Sequence, residues 1–236
     1  MAINIRKGNM YDFVTHTWNP ISGVCFHNCS YCYMKPISKE SKPTLKEHIF
    51  NDKFVKNSFI FIGSSTDMFA ENVPSEWITR VLDHCKDEIE AGRGKAFLLQ
   101  TKNPQRFFEF TNHPIIKKHC VLATTIESNR DYPEIMNNAP KIEERVKAME
   151  ELNKQGFTTM VTAEPLMDFD LEQMVEYMVR CSPKRINIGR NTSKTVTVPE
   201  PTKEQVQKLY ERLKNSPTLQ NRGTKIEFKS NANAWK

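Results

Sequence analysis

The sequence predicts an α/β fold, a partial (β/α)6 barrel of the TIM type. Three observations carry the prediction. Short apolar runs alternate with segments of helical periodicity, the order that parallel βαβ units require, with right-handed connections expected between them. About six such units fit in 236 residues, which suits an open barrel better than a closed eight-unit one. Polar residues cluster directly after each run, and in parallel sheets ligands bind at the carboxyl ends of the strands. The reading is one domain over 1–236, with a lead over 1–12 and the barrel core over 13–230.

The elements follow in order. Residues 1–24 read as an irregular lead with a first strand near 14–18. Next comes Cys25-Phe26-His27-Asn28-Cys29-Ser30-Tyr31-Cys32-Tyr33, a loop in which a short helix is expected to begin and to end before Pro36. The stretch 37–57 has no strong periodicity. With Lys35 just before it and Lys39, Lys42, Lys46, Lys53 and Lys56 within it, it reads as an exposed connection with room for one helical turn. The run Ser-Phe-Ile-Phe-Ile-Gly over 58–63 is continuous and apolar, as a strand buried on both faces should be. A helix is predicted over 74–91 from a proline near its start, Ile78, Val81, Leu82, Cys85 and Ile89 at helical spacing, and the Gly92 stop. Strands are predicted over 96–100, 121–126, 158–162, 185–188 and 225–228. Helices are predicted over 104–110, 141–155, 168–180 and 202–214, with Asp168 or Asp170 capping the third of these.

Each strand end is polar. Ser64, Ser65, Thr66 and Asp67 follow the 58–63 strand, and Gln100, Thr101 and Lys102 follow the next. Thr125 and Glu127, then Glu164, then Arg190 and Asn191, and finally Lys229, Ser230 and Asn231 follow the rest. The first strand leads instead into the cysteine loop. A [4Fe–4S] cluster takes four thiolates, so a loop that offers Cys25, Cys29 and Cys32 with no nearby fourth leaves one iron open to an outside ligand. The alternative is a Cys3His zinc site using His27. Structural zinc sites usually draw on two separated pairs, and no second pair occurs here. Cys85, Cys120 and Cys181 read as buried small hydrophobes, and His16 and His27 as surface histidines.

Six cysteines without a signal-peptide-like start argue for metal binding rather than a disulfide framework. No run approaches about 18 apolar residues, so no membrane span is expected and the protein reads as cytoplasmic. A formal charge of +6 is compatible with a polyanionic partner without requiring one.

The pattern Cys-x3-Cys-x-aromatic-Cys resembles the signature of the radical S-adenosylmethionine (radical SAM) enzymes. Over about 13–230 the chain resembles one group among them, the phage-associated Gp37/Gp68-like or DUF5131 proteins. The resemblance is carried by Trp18-Asn19-Pro20, the cysteine loop, 63–69, 99–104, Thr125-Ile126-Glu127, Glu164-Pro165-Leu166 and Phe228-Lys229. The cysteine loop alone, with Tyr31 and Tyr33 flanking Cys32, is also similar to that of spore photoproduct lyase. The chain departs from the family pattern at Val24, and at Gly189-Arg190-Asn191 where Gly-Gly-Glu is expected.

The resemblance implies a barrel of the radical SAM kind, a [4Fe–4S] cluster on Cys25, Cys29 and Cys32, and SAM on the open iron. It also implies an electron donor such as flavodoxin or ferredoxin, and hydrogen abstraction from a substrate. Tyr31 is expected near the adenine. Lys102 or Arg190 is expected on the SAM carboxylate, Ser64, Ser65, Thr66 or Asp67 on its ammonium, and Thr125, Glu127 or Glu164 on the ribose. Tyr33 is the catalytic candidate, able to relay a hydrogen atom, against a plainer reading in which it fills the core. The expected substrate is a base in DNA or RNA, for repair or modification. A peptide or small metabolite is the first alternative, and a non-enzymatic zinc-binding adaptor the second.

Overall fold

The computed structural model describes residues 3–37, 40–193 and 195–236; Lys39 lies outside them. The strands are β1 (Ile3–Ile5), β2 (His16–Trp18), β3 (Ile21–Ser22), β4 (Thr44–Leu45), β5 (Lys56–Ile62), β6 (Gly94–Thr101), β7 (Cys120–Thr125), β8 (Thr159–Ala163), β9 (Arg185–Ile188) and β10 (Lys225–Phe228). The helices are α1 (Ser75–Glu90), α2 (Pro114–His119), α3 (Pro133–Met136), α4 (Ile142–Lys154), α5 (Leu171–Cys181), α6 (Lys203–Lys214) and α7 (Pro217–Arg222). Short 3-10 turns lie at Glu47–Asn51, Pro104–Phe110 and Ser230–Trp235.

The eight-stranded sheet has the order β1-β2-β5-β6-β7-β8-β9-β10. β1 is antiparallel to β2, and every other pairing is parallel. Parallel strands in sequence order wind in one direction, which is the pattern of an open α/β barrel. Alternate strand residues face opposite cores, as the two-residue period of a strand demands. Ile60, Ile62, Phe97, Leu99, Leu122 and Val161 pack with the helices in the main core. Phe61, Leu98, Ala123 and Met160 point the other way and fill the bore.

The 6–14 segment closes that bore. Tyr11 and Val14 pack against the same four residues. The segment reaches the far edge of the sheet through Asp12 to Arg185 at 3.1 Å and Asn9 to Ser230 at 2.7 Å. The lead is therefore structured: it contributes β1 and a plug for the bore.

Other departures from the sequence reading have local causes. No helix forms in the cysteine loop. Its backbone makes separate turns, Asn28 to Cys25 and Cys32 to Cys29, and Asn28 is left-handed at φ 52°. Neither Asp168 nor Asp170 caps α5 through its side chain, because Arg130 pairs with both carboxylates. α2, α3 and α7 are shorter than the two turns at which periodicity becomes visible. The 37–57 connection contributes β4 as well as the helical turn at Glu47–Asn51.

Candidate active site

The cysteine loop leaves and re-enters the fold through a two-stranded ribbon, with Ile21 opposite Leu45 and Ser22 opposite Thr44. Gly23 sits at its mouth with φ +100°, and a Cβ there would lie 2.0 Å from the Lys42 carbonyl oxygen. Only glycine fits. On its far side the loop is moored to the end of α3. Ser30 N–H donates to the Ile135 carbonyl at 2.8 Å, Asn138 N–H to His27 at 3.1 Å, and the Asn138 amide to Phe26 at 2.9 Å. Cys29 is buried, and Cys25 and Cys32 are partly exposed. Burial, and next the Asp67 carboxylate, push the Cys25 thiol up to about 12.

Two acids stand beside the loop, Asp67 largely and Glu127 wholly out of solvent. Asp67 Oδ2 accepts from Thr101 Oγ1 and Lys102 N–H at 2.9 Å and lies 3.0 Å from His27 Nε2, while Oδ1 accepts from Phe69 N–H at 3.0 Å. Burial alone would raise its pKa, but His27 and the hydrogen bonds outweigh this and hold it below the usual range. His27 is therefore a buried partner of Asp67, only 2% exposed, and not the surface residue expected from sequence.

Glu127 is fully buried. Its Oε1 accepts from the Tyr31 hydroxyl and from Lys102 Nζ at 2.7 Å, and its Oε2 from Arg145 Nη1 at 2.8 Å. Burial would raise this carboxyl, yet Lys102 and Arg145 hold it down at about 2. Burial and the adjacent carboxylate push the Tyr31 phenol well above its ordinary value, so it stays protonated and donates. Two cations against one anion leave a net positive charge beside Cys29.

A cavity of about 500 Å³ opens at the carboxyl ends of the strands. Cys25, Cys29, Cys32, Tyr31, Tyr33, Ser64, Ser65, Thr66, Asp67, Lys102, Thr125 and Glu164 all line it. Of the candidates named from sequence, two do not. Glu127 lies behind the wall. The Arg190 side chain leaves the cavity for Glu200, at 2.5 Å, and the face of Trp235. Tyr33 is 52% exposed and donates to the Ser64 carbonyl at 2.9 Å, so it forms part of the rim and does not fill the core. Ser64 Oγ is held by Asn19 and Thr66 Oγ1 by the Gly23 carbonyl. The hydroxyls of Ser65 and Thr125 make no hydrogen bond among the described residues and remain available to a ligand. Opposite the cysteines, Glu164 accepts from Asn9 at 2.6 Å, Asn231 at 3.0 Å and Lys229 at 2.6 Å. Gly189 makes room for it, since a Cβ there would lie 2.8 Å from the carboxyl carbon.

The donor set suits an iron–sulfur cluster better than a zinc ion. A single zinc at about 2.3 Å from each sulfur gathers its ligands tightly around one point. Among the described residues no three of His, Cys, Asp and Glu are so gathered. His27 Nε2 is turned to Asp67, while its Nδ1 has no partner among the described residues. The three thiols instead border the cavity, where a cluster larger than a single ion has room.

Arg145, Asn9 and Tyr11 were not singled out from sequence. Arg145 carried a signal, since it lies three residues after Ile142 on the buried stripe of α4 with Val146, Met149 and Leu152. Asn9 and Tyr11 lie in a lead without periodicity and carried none.

Solved structures with the same fold include spore photoproduct lyase. A variant with bound AdoMet and dinucleoside spore photoproduct matches at TM-score 0.56 and 10% identity, over 94% of this chain and 80% of that one. A second variant reaches TM-score 0.64 at 8% identity, over 94% and 78%. SuiB of Streptococcus suis bound to S-adenosylmethionine matches at TM-score 0.58 and 13% identity, over 90% of this chain and 49% of SuiB. The chain thus spans about half of SuiB's length. At such identities the likeness is one of fold, a mainly parallel α/β sheet. No curated protein sequence matches the chain. Among the described residues no helix is long and apolar enough to cross a membrane. A family model does match, over residues 9–179, and this chain belongs to that family, described as a protein of unknown function, DUF5131.

Proposed function

We propose that this protein is a radical SAM enzyme of the phage-associated Gp37/Gp68-like kind, acting on a base in a nucleic acid. The observation that carries the reading is the cysteine loop: three thiols, with no fourth cysteine beside them, on the rim of a cavity made of strand ends. Cys25, Cys29 and Cys32 would hold a [4Fe–4S] cluster as thiolates, with one iron left for SAM. The bound pair supplies reductive carbon–sulfur cleavage and hydrogen-atom abstraction.

The chain's own residues bind and orient. Lys102, fixed by Glu127 and lying 5.3 Å from the Tyr31 ring centre, is the cation suited to the SAM carboxylate. Arg190 is not so placed. Ser65 and Thr125 offer free hydroxyls to the ammonium and ribose, and Tyr33 stands at the rim where a substrate enters. An electron donor such as flavodoxin or ferredoxin would approach the partly exposed cysteine loop. The nucleic-acid reading is supported by the basic balance of the chain and by the dinucleoside held in one structural neighbour. A peptide substrate is the second reading, supported by SuiB, which has been solved with its precursor peptide SuiA.

The test is anaerobic reconstitution with iron, sulfide and zinc analysis, followed by SAM and dithionite. About four irons and four sulfides per chain, lost in Cys29→Ala, with 5′-deoxyadenosine released by the wild type, are expected. One tightly held zinc without SAM cleavage overturns the proposal in favour of a zinc-binding adaptor.

A further inference from the structure

A second, larger space adjoins the cysteine cavity. A groove of about 1350 Å³ runs along the open side of the barrel, between the 6–12 segment and a wall made by β10 and the second half of α6. Lys7, Met10, Tyr11 and Lys229 line both spaces. The cysteine cavity, about 500 Å³, falls in the range of small-ligand sites, about 300–1,000 Å³, whereas the groove exceeds it. A site of that size suits a segment of a polymer.

The charges in the groove are unevenly compensated. Asp12 and Glu227 both pair with Arg185, and Glu227 pairs with Lys225 as well. Arg6, Lys7 and Lys214 are exposed and have no carboxylate partner among the described residues, against Glu211 as the acid left over. Tyr210 and Phe228 form a half-buried aromatic pair on the same wall, with ring centres 5.2 Å apart and planes inclined at 37°. Lys214 Nζ lies 6.0 Å from the Tyr210 ring centre. Unpaired cations beside an aromatic surface are the elements of single-strand recognition, in which the backbone follows the charge and bases stack.

We propose that this groove holds a single strand of nucleic acid, its phosphates on Arg6, Lys7 and Lys214 and a base against the Tyr210–Phe228 pair. A neighbouring base then turns past Met10 and Tyr11 into the cysteine cavity, because chemistry on a base requires it to leave the stack. The proposal rests on the radical reading for its chemistry but not for its binding. The free edge of β10 in the groove is the feature an extended peptide would use instead, and the uncompensated cations favour the polyanion.

The experiment is fluorescence anisotropy with a labelled oligothymidylate of about 12 nucleotides, titrated with the full chain between 50 and 200 mM salt. Each phosphate contact on a single strand contributes about 0.7 to the log–log salt slope. In the Lys7→Gln/Lys214→Gln double variant the slope should therefore fall by about 1.4, and the fourfold salt increase should weaken the wild type about 7-fold more than the variant. Tyr210→Leu should weaken binding about tenfold at every salt concentration. Equal slopes for wild type and double variant, or an extended peptide bound where the strand is not, overturn the proposal. 5′-Deoxyadenosine release is read separately on the wild type. Normal strand binding without SAM cleavage removes the radical reading and keeps the groove; SAM cleavage with equal slopes removes the groove alone.

Discussion

Arg145 Nη1 lies 2.8 Å from Glu127 Oε2, and both side chains are wholly out of solvent. The other oxygen of that carboxylate receives the Tyr31 hydroxyl from between Cys29 and Cys32. One buried acid thus ties α4 and the end of β7 to the cysteine loop, with Lys102 as a further partner. Arg145 Nη2 has no hydrogen-bond partner among the described residues, so the guanidinium depends on Glu127 for its charge compensation.

Replacing Glu127→Ala leaves a buried cation unpaired, a situation that costs about 3–5 kcal/mol. Urea unfolding at neutral pH should show a loss of that size, together with weaker iron retention by the loosened loop. An unchanged midpoint would mean that the pair contributes nothing net.

The same carboxylate sets an acid limit. Its folded value of about 2 lies below its ordinary 4.5. A depressed acid contributes stability that is complete above the unfolded value and is lost as pH falls through the folded one. Stability should therefore drop between about pH 4.5 and 2 by about 3 kcal/mol from this group. Glu127→Gln should flatten that part of the pH–stability curve, and an identical curve for the variant refutes the assignment.

Asp67→Ala removes the acceptor for Thr101, Lys102 N–H and Phe69 N–H and the partner of His27. Donors left buried and unpaired cost about 1–3 kcal/mol each before relaxation. Limited proteolysis should then cut the cysteine loop faster than in the wild type. Equal cleavage rates would separate Asp67 from loop order.

Gly23→Ala forces a Cβ to within 2.0 Å of the Lys42 carbonyl at a φ of +100°. The ribbon at the loop's mouth must open. Stability should fall by at least about 1–3 kcal/mol from backbone strain, with reduced iron uptake on reconstitution. Wild-type iron content would show that the mouth does not shape the cluster site.

Arg190→Ala and Lys102→Ala should behave differently. Arg190 makes a partly exposed pair with Glu200 outside the cavity, worth about 1 kcal/mol or less. Its removal should leave the apparent KM for SAM within about twofold, whereas Lys102→Ala should raise it about tenfold or more. Equal effects would return Arg190 to the site.

The sequence by itself determined the alternation of strands and helices, the cysteine loop and the polar strand ends, because each is a local pattern: periods of two and 3.6 residues, a motif spacing, a residue type after a run. Strand 58–63 and the helices over 74–91 and 141–155 were legible for that reason. Tertiary structure alone decided which polar groups meet. Tyr31 reaches Glu127 across 96 residues and Asn9 reaches Glu164 across 155, separations that no local period encodes. It turned Arg190 out to Glu200 and His27 in to Asp67, since a polar side chain takes whichever partner the packed strands bring within hydrogen-bond distance. It also made the lead a plug for the bore: an open sheet leaves its inner face exposed, and Tyr11 and Val14 are the apolar residues that the chain returns to cover it.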